Sequence, residues 1–254
     1  MLLDILLRLF FYGTGLFFLL LSGPLLVKLT SQVNMSEDWK TANRDSAHIA
    51  PDAHITSEAI VQVYAARAFN WRGFFSVHCW VSVKPKNAQE WTVYQIVGWY
   101  RYYQQPVLRV EVSSPDRYWY GNKPELLVDI RGEKAEAAIP KVQHYTDVYP
   151  YKEKYVIWPG PNSNSYIAYL GRHIPELRLN LPATAVGKNF LVKNFLLAKA
   201  PSGTGYEFSI HGLLGITLAE IEGLQFNFMG LSFGISWHDG LALNWPGVGR
   251  ISIF

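Results

Sequence analysis

The sequence predicts an α+β domain built on an antiparallel sheet with a few helices, carried behind one N-terminal transmembrane helix. Three observations predict it. An uncharged run from Leu9 to Val27 is bracketed by Arg8 and Lys28. Three aromatic and β-branched runs follow one another across short turns between residues 74 and 112. A proline-rich turn, Trp158-Pro-Gly-Pro-Asn-Ser-Asn-Ser-Tyr166, then leads into a helically spaced stretch.

Bulk composition narrows the class. The 254 residues are 49% hydrophobic and 15% aromatic, with nine Trp, enough for a substantial core. Charged residues make up 17%, against about 25% in a typical soluble domain. Net charge is +3 with no long basic run, so nucleic acid is not expected as a partner. The single cysteine, Cys79, excludes an internal disulfide framework and a cysteine-rich metal site. No metal or cofactor is implied.

The first element, residues 1–30, reads as a membrane anchor. Its uncharged core meets the roughly 20 residues needed to span the hydrocarbon layer. It is long for a signal-peptide core of about 7–15 residues, and no small-x-small cleavage site follows Lys28. Orientation is open. Lys28, Lys40 and Arg44 argue for a cytoplasmic domain by the positive-inside rule. A single N-terminal span more commonly leaves its domain outside. A single-pass protein of a bacterial inner membrane, with a slight preference for the periplasmic side, is the expectation, and membrane lipid around the helix is the expected partner.

Residues 31–56 are polar and read as a linker that winds onto a single α+β domain at 57–254. His48 and His54 in this linker read as solvated rather than metal-bound. Residues 60–64 fit a strand or a short helix; 74–84, 91–103 and 107–112 fit strands of an antiparallel meander. Glu125–Arg131 reads as a short amphipathic helical piece, and 135–149 as a helix that Pro140 breaks or begins. Asp116 and Arg117 read as a turn with a surface ion pair. Tyr155–Trp158 reads as strand-like; Pro159, Gly160 and Pro161 end it. Tyr166, Ile167, Tyr169 and Leu170 then keep helical spacing up to Pro175. Gly187-Lys188 lacks the other residues of a phosphate-binding loop. Beyond a turn at 201–205, apolar runs at 206–218, 224–237 and 248–253 read as strands, too short or too polar to span a membrane; a hairpin resting on a membrane surface fits them.

Two features carry candidate chemistry. Ser163 and its neighbours open a helix, where unpaired N–H groups and the helix dipole favour negative charge. The same residue types are ordinary helix caps. His78 sits on an early strand, pointing to the face opposite Cys79, and reads alone as a core histidine with a hydrogen-bond partner. Together they make a possible nucleophile and base. Ser165 rivals Ser163, and Gln95 or Tyr94 on the next strand could orient His78.

The order His78, then Asn162-Ser163-Asn164-Ser165-Tyr166, resembles the circularly permuted papain-like superfamily of lecithin–retinol acyltransferase and related lipid acyltransferases and amidases. There the motif is often Asn-Cys-Asn-x-Phe, so Ser163 stands where the cysteine would be. The resemblance implies a permuted papain-like core, with His78, Ser163 and Gln95 as catalytic residues and Asn162, Asn164, Ser165, Trp80 and Gly160 as binding residues. Serine needs a better-placed base and oxyanion hole than a thiol, so loss of the chemistry with retention of the fold is the alternative.

A closer resemblance is to a bacterial family known as domain of unknown function 3750. Val61-Gln-Val-Tyr-Ala-Ala-Arg, Trp71-Arg-Gly, His78 with Trp80, Val97-Gly-Trp, Pro115-Asp-Arg, Trp158-Pro-Gly-Pro-Asn-Ser-Asn, Gly187-Lys188, Pro201-Ser-Gly-Thr-Gly and Gly247-x-Gly-Arg250 carry it, over residues 39–251. It implies a Gram-negative protein with an N-terminal anchor. Two functions compete: a membrane-anchored hydrolase or acyltransferase acting on an amide or ester, and a non-catalytic anchored module that binds a lipid, a glycan or an envelope partner.

Overall fold

The computed structural model describes residues 2–33, 35–193 and 196–253. It begins with two helices, α1 (Leu2–Leu20) and α2 (Ser22–Leu29). Together, Leu3–Leu29 are long and apolar enough to cross a membrane. Their side chains are mostly exposed, Leu9, Phe10, Phe11 and Phe18 among them. α2 is tied down where it lacks bulk: a Cβ on Gly23 would come within 1.9 Å of the Pro246 carbonyl oxygen.

The first sheet has five antiparallel strands in the order β4-β3-β2-β1-β5. These are β1 (Ile60–Arg67), β2 (Val77–Lys84), β3 (Thr92–Ile96), β4 (Leu108–Val112) and β5 (Glu125–Arg131). Both faces of its centre are covered, which is why 60–67 and 77–84 are almost continuously buried rather than alternately buried and exposed. Val61, Val63, Ala65, Cys79, Val81 and Val83 pack under α3 (Glu133–Asp147) and α4 (Ser163–His173). Tyr64, Ala66, Trp80, Val93 and Trp119 form a separate aromatic cluster on the other face.

Four local expectations are corrected. Residues 125–131 are a strand, because the free edge of β1 supplies a ladder that outweighs their helical spacing. The strand expected at 91–103 stops at Ile96, and Gly98–Tyr103 coil into a 3₁₀ turn. There the Gly98 backbone lies against the Tyr155 ring, and a Cβ would meet it at 2.5 Å. Residues 155–158 form no strand; they run into a turn with cis peptides before Pro159 and Pro161. The helix at 133–147 runs through Pro140.

The C-terminal strands form a second sheet of seven, a meander in strict order β12 to β6. They are β6 (Leu197–Lys199), β7 (Gly205–Ile210), β8 (Leu214–Ala219), β9 (Gly223–Phe228), β10 (Leu231–Ser236), β11 (Ala242–Trp245) and β12 (Gly249–Ser252). Its buried face is polar. Glu207, Ser209, Thr217, Gln225, Asn227 and Ser232 all point inward. They meet α4 and the segment after it in one network. Arg172 Nη2 contacts Glu207 Oε2 at 2.5 Å, and Asn189 Nδ2 donates to Glu207 Oε1 at 2.7 Å. Lys188 Nζ donates to Gln225 Oε1 at 2.8 Å, and Ser232 Oγ to Asn189 Oδ1 at 3.0 Å. Burial draws the Lys188 ammonium down to about 8, against the pull of Glu207 and Glu222. Arg67 joins the two sheets, its Nη1 donating to the Gly247 carbonyl at 2.6 Å.

Candidate functional site

The start of α4 is a clasp. Asn162, in extended backbone, is the N-cap. Its Oδ1 accepts from the N–H groups of Asn164 and Ser165 at 3.0 and 3.1 Å. Ser165 Oγ in return accepts from the Asn162 N–H at 3.2 Å, completing a capping box, and donates to the Gly187 carbonyl at 2.7 Å. Asn162 Nδ2 donates to the Ile157 and Val186 carbonyls, and Asn164 Nδ2 to those of Val77 and Val186. The asparagines therefore bind the 157–161 turn, β2, α4 and the 184–187 loop together. Gly160 and Gly187 are required here. Each has a positive φ, and a Cβ would meet Ser165 Oγ at 2.6 Å and Asn162 Nδ2 at 2.2 Å respectively.

This clasp uses the donors that an oxyanion site would need. Tyr166 N–H bonds the Asn162 carbonyl, and Asn162 takes the next two amides. Among the described residues, only the Ser163 amide at the start of the helix is left without a backbone or side-chain acceptor. Ser163 itself is buried.

His78 lies elsewhere. Its ring stacks on Trp119 with centroids 3.6 Å apart and planes 8° from parallel, inside the aromatic cluster. Trp80 is buried beside it and donates to the Pro115 carbonyl at 2.7 Å. Gln95 Nε2 donates to Glu111 Oε1 at 3.0 Å, which leaves Gln95 Oε1 to face His78 Nε2 at 3.1 Å. A carbonyl oxygen only accepts, so the histidine proton is on Nε2. Arg117 closes the chain at 3.0 Å from Glu111. Tyr94, the other candidate partner, faces the α-helical side. Burial pushes the His78 imidazole down to about 3; the Gln95 bond opposes this and the Arg117 charge adds to it.

The structure thus brings His78 and Gln95 together, and groups Gly160, Asn162, Asn164 and Ser165. It sets the two groups on opposite faces of the five-stranded sheet, because His78 alternates with Cys79 and α4 covers the Cys79 face. Among the described residues no group of three or more His, Cys, Asp or Glu side chains is placed to hold a metal ion.

Asp116 carries more than a surface turn. It is buried and does not pair with Arg117. Burial alone would raise its carboxyl, but the N–H groups of Ala50 and Ile49 and the hydroxyls of Ser46 and Ser114 outweigh that and hold it below its ordinary value. This carboxylate fastens the 45–50 segment to the domain together with backbone bonds from Ala47 to the Asp116 carbonyl and from Tyr118 to the Asp45 carbonyl. The Pro115-Asp-Arg motif was the available signal, but a short polar motif does not disclose burial.

The family described as "Protein of unknown function (DUF3750)" has a model that matches residues 58–190, just over half of the chain. The chain belongs to the DUF3750 family. No curated protein and no solved structure matches it. The DUF3750 match is narrower than the 39–251 range suggested by shared motifs. It holds the five-stranded sheet, α3, α4, the His78–Gln95 pair and the whole clasp, while the N-terminal helices and the seven-stranded sheet lie outside it.

If the clasp is a structural device of the DUF3750 region, Asn162→Ala costs about 1–2 kcal/mol, the loss of an N-cap. Asn162→Asp, which keeps the cap but not the Nδ2 donors, costs less. Denaturant unfolding reads both; an alanine variant as stable as wild type contradicts the role.

Proposed function

We propose that this DUF3750 protein is a non-catalytic, membrane-anchored module, held by α1 and α2 and presenting its folded domain beside the bilayer. One observation carries the reading: His78 and the α4 N-terminus face opposite sides of a buried sheet, with His78 bonded to Gln95 and the Ser165 hydroxyl to the Gly187 carbonyl. A neutral imidazole held near a pKa of about 3 is also a poor general base at neutral pH. The setting that fits is a bacterial inner membrane crossed once, with the domain on the periplasmic side. A lipid, a glycan or an envelope protein is the class of partner such a module serves.

The competing reading is a serine hydrolase or acyltransferase of the permuted papain-like type, with Ser163 attacking and His78, oriented by Gln95, taking its proton. It requires the two groups to meet. Labelling of the detergent-solubilised chain with a broad serine-reactive phosphonate, read by intact mass and peptide mapping, separates the two. The module reading predicts no adduct on Ser163 or Ser165 in wild type. An adduct on Ser163 that disappears in His78→Ala establishes the hydrolase reading instead.

A further inference from the structure

The seven-stranded sheet is inverted relative to a sheet on a water-washed domain. Its polar residues face the interior and its apolar residues face out. Across β7 to β10, register places Tyr206, Phe208, Ile216, Leu218, Phe226 and Ile235 on the outer face, and no charged side chain among them. All six are exposed to some degree, from 39% at Phe208 to 63% at Tyr206. A contiguous apolar face of this extent marks a surface that works against something other than water.

Its neighbour says what that is. The outer face carries Phe228 and Trp245 against the apolar N-terminal helices. A Cβ on Gly13 would sit 3.8 Å from the Phe228 ring, and Trp245 Nε1 donates to Ser22 Oγ at 3.2 Å. At ~1.5 Å of rise per residue, Gly13 and Ser22 are roughly 13 Å apart along the chain of helices. The sheet therefore accompanies the helix for that distance. Any bilayer that holds the helix meets the outer face too, and the exposed side of α1 (Leu9, Phe10, Phe18) adds to the same apolar surface.

We propose that the outer face of the seven-stranded sheet is a second membrane-contacting surface, seated face-on against the acyl chains of the leaflet beside α1. Unpaired strand edges are not tolerated in hydrocarbon. Because the helix runs along this face, the sheet stands beside it at the membrane interface, with the edge strands β6 and β12 where water reaches their free backbone groups. The short β6 edge carries Lys199 at its rim, exposed and able to reach the headgroup layer. The polar inner face then makes sense as the side turned away from lipid, where Glu207, Gln225 and Asn189 pair among themselves.

The proposal rests on the reading of α1 as a membrane anchor, and its test separates the two. The full chain, with Cys79→Ala to remove the native thiol, is reconstituted in phosphatidylcholine–phosphatidylglycerol vesicles. Single nitroxide-labelled cysteines are placed at Ile216 and Leu218 on the sheet, Leu9 on the helix, and Lys134 on α3 as a water reference. Collision with oxygen, which favours lipid, is compared with collision with a neutral nickel chelate, which favours water. The expected result is a several-fold higher oxygen-to-nickel ratio at 216, 218 and 9 than at 134. A lipid-like ratio at 9 with a water-like ratio at 216 and 218 overturns this proposal and leaves the anchor standing. Water-like ratios at all labelled positions overturn both. Labels at 216 and 218 shielded from both reagents and broadened by spin–spin coupling mean that a second copy covers the face, which also overturns it.

Discussion

Glu207→Ala lowers stability by about 3–5 kcal/mol, the loss that follows when one member of a buried ion pair is removed. Arg172 and Glu207 are nearly inaccessible, at 6% and 1% side-chain exposure. Without the carboxylate, the Arg172 guanidinium keeps its charge inside the protein, and the Asn189 amide loses its acceptor as well. The pair is the centre of the polar layer between α4 and the seven-stranded sheet, so its loss is felt in both elements. A cycle with Arg172→Met isolates the cause. The double variant Arg172→Met with Glu207→Ala regains part of the loss, because the unpaired guanidinium charge is gone. Denaturant unfolding of the four proteins is the measurement. A Glu207→Ala loss below about 1 kcal/mol, within the range of exposed pairs, would mean that the layer is hydrated and that the sheet is not sealed against α4.

Asp116→Ala has the second-largest effect, a loss of about 3 kcal/mol, from hydrogen bonds to a charged acceptor at ~1.5–3 kcal/mol each with partial rescue of the two serines by water. Two of its four donors, the Ile49 and Ala50 amides, belong to the chain segment that closes over the aromatic face of the first sheet. Hydrogen exchange at these amides therefore rises together with loss of global stability. Asp116→Asn is intermediate, since an amide oxygen still accepts from one or two donors. The contribution has a pH signature. The folded carboxyl lies below its ordinary 3.8, so its stabilisation is complete above that value and is lost as pH falls through the depressed folded value. Protected amides at Ile49 and Ala50 in Asp116→Ala would contradict the fastening role.

Much of this architecture was legible in the sequence, because local chemistry decides it. The meander of β2, β3 and β4 follows from β-branched and aromatic runs between polar turns. α4 follows from its apolar spacing and from Asn, Ser, Asn and Ser at its start. Gln95 was one of two candidates for the partner of His78, and strand alternation separates it from Tyr94. Legibility failed where a residue's neighbour is chosen by topology. Whether His78 can meet Ser163 depends on which face of the sheet α4 covers, and no short motif encodes that. Residues 125–131 satisfy a helical spacing and an edge strand equally; the free edge of β1 decides. The alternation in 205–219 marks strands, but it does not say that the apolar side faces out. That follows only from the Arg172, Lys188 and Asn189 side chains waiting on the inner side.

The central claim is that His78 is a neutral structural group, separate from the α4 clasp. Selective ¹⁵N labelling of the seven histidines, with His78→Gln to assign the signal, tests it most directly. An exposed imidazole titrates near 6.5; the buried His78 is held neutral down to about 3, so its stabilising effect is complete above 6.5 and fades as pH falls from there towards 3. The account predicts one ring with the proton on Nε2 that does not titrate between about pH 8 and pH 5, and whose shifts are unmoved by Ser163→Ala. A His78 signal that titrates near neutrality and shifts in Ser163→Ala would contradict it and return the serine to catalysis.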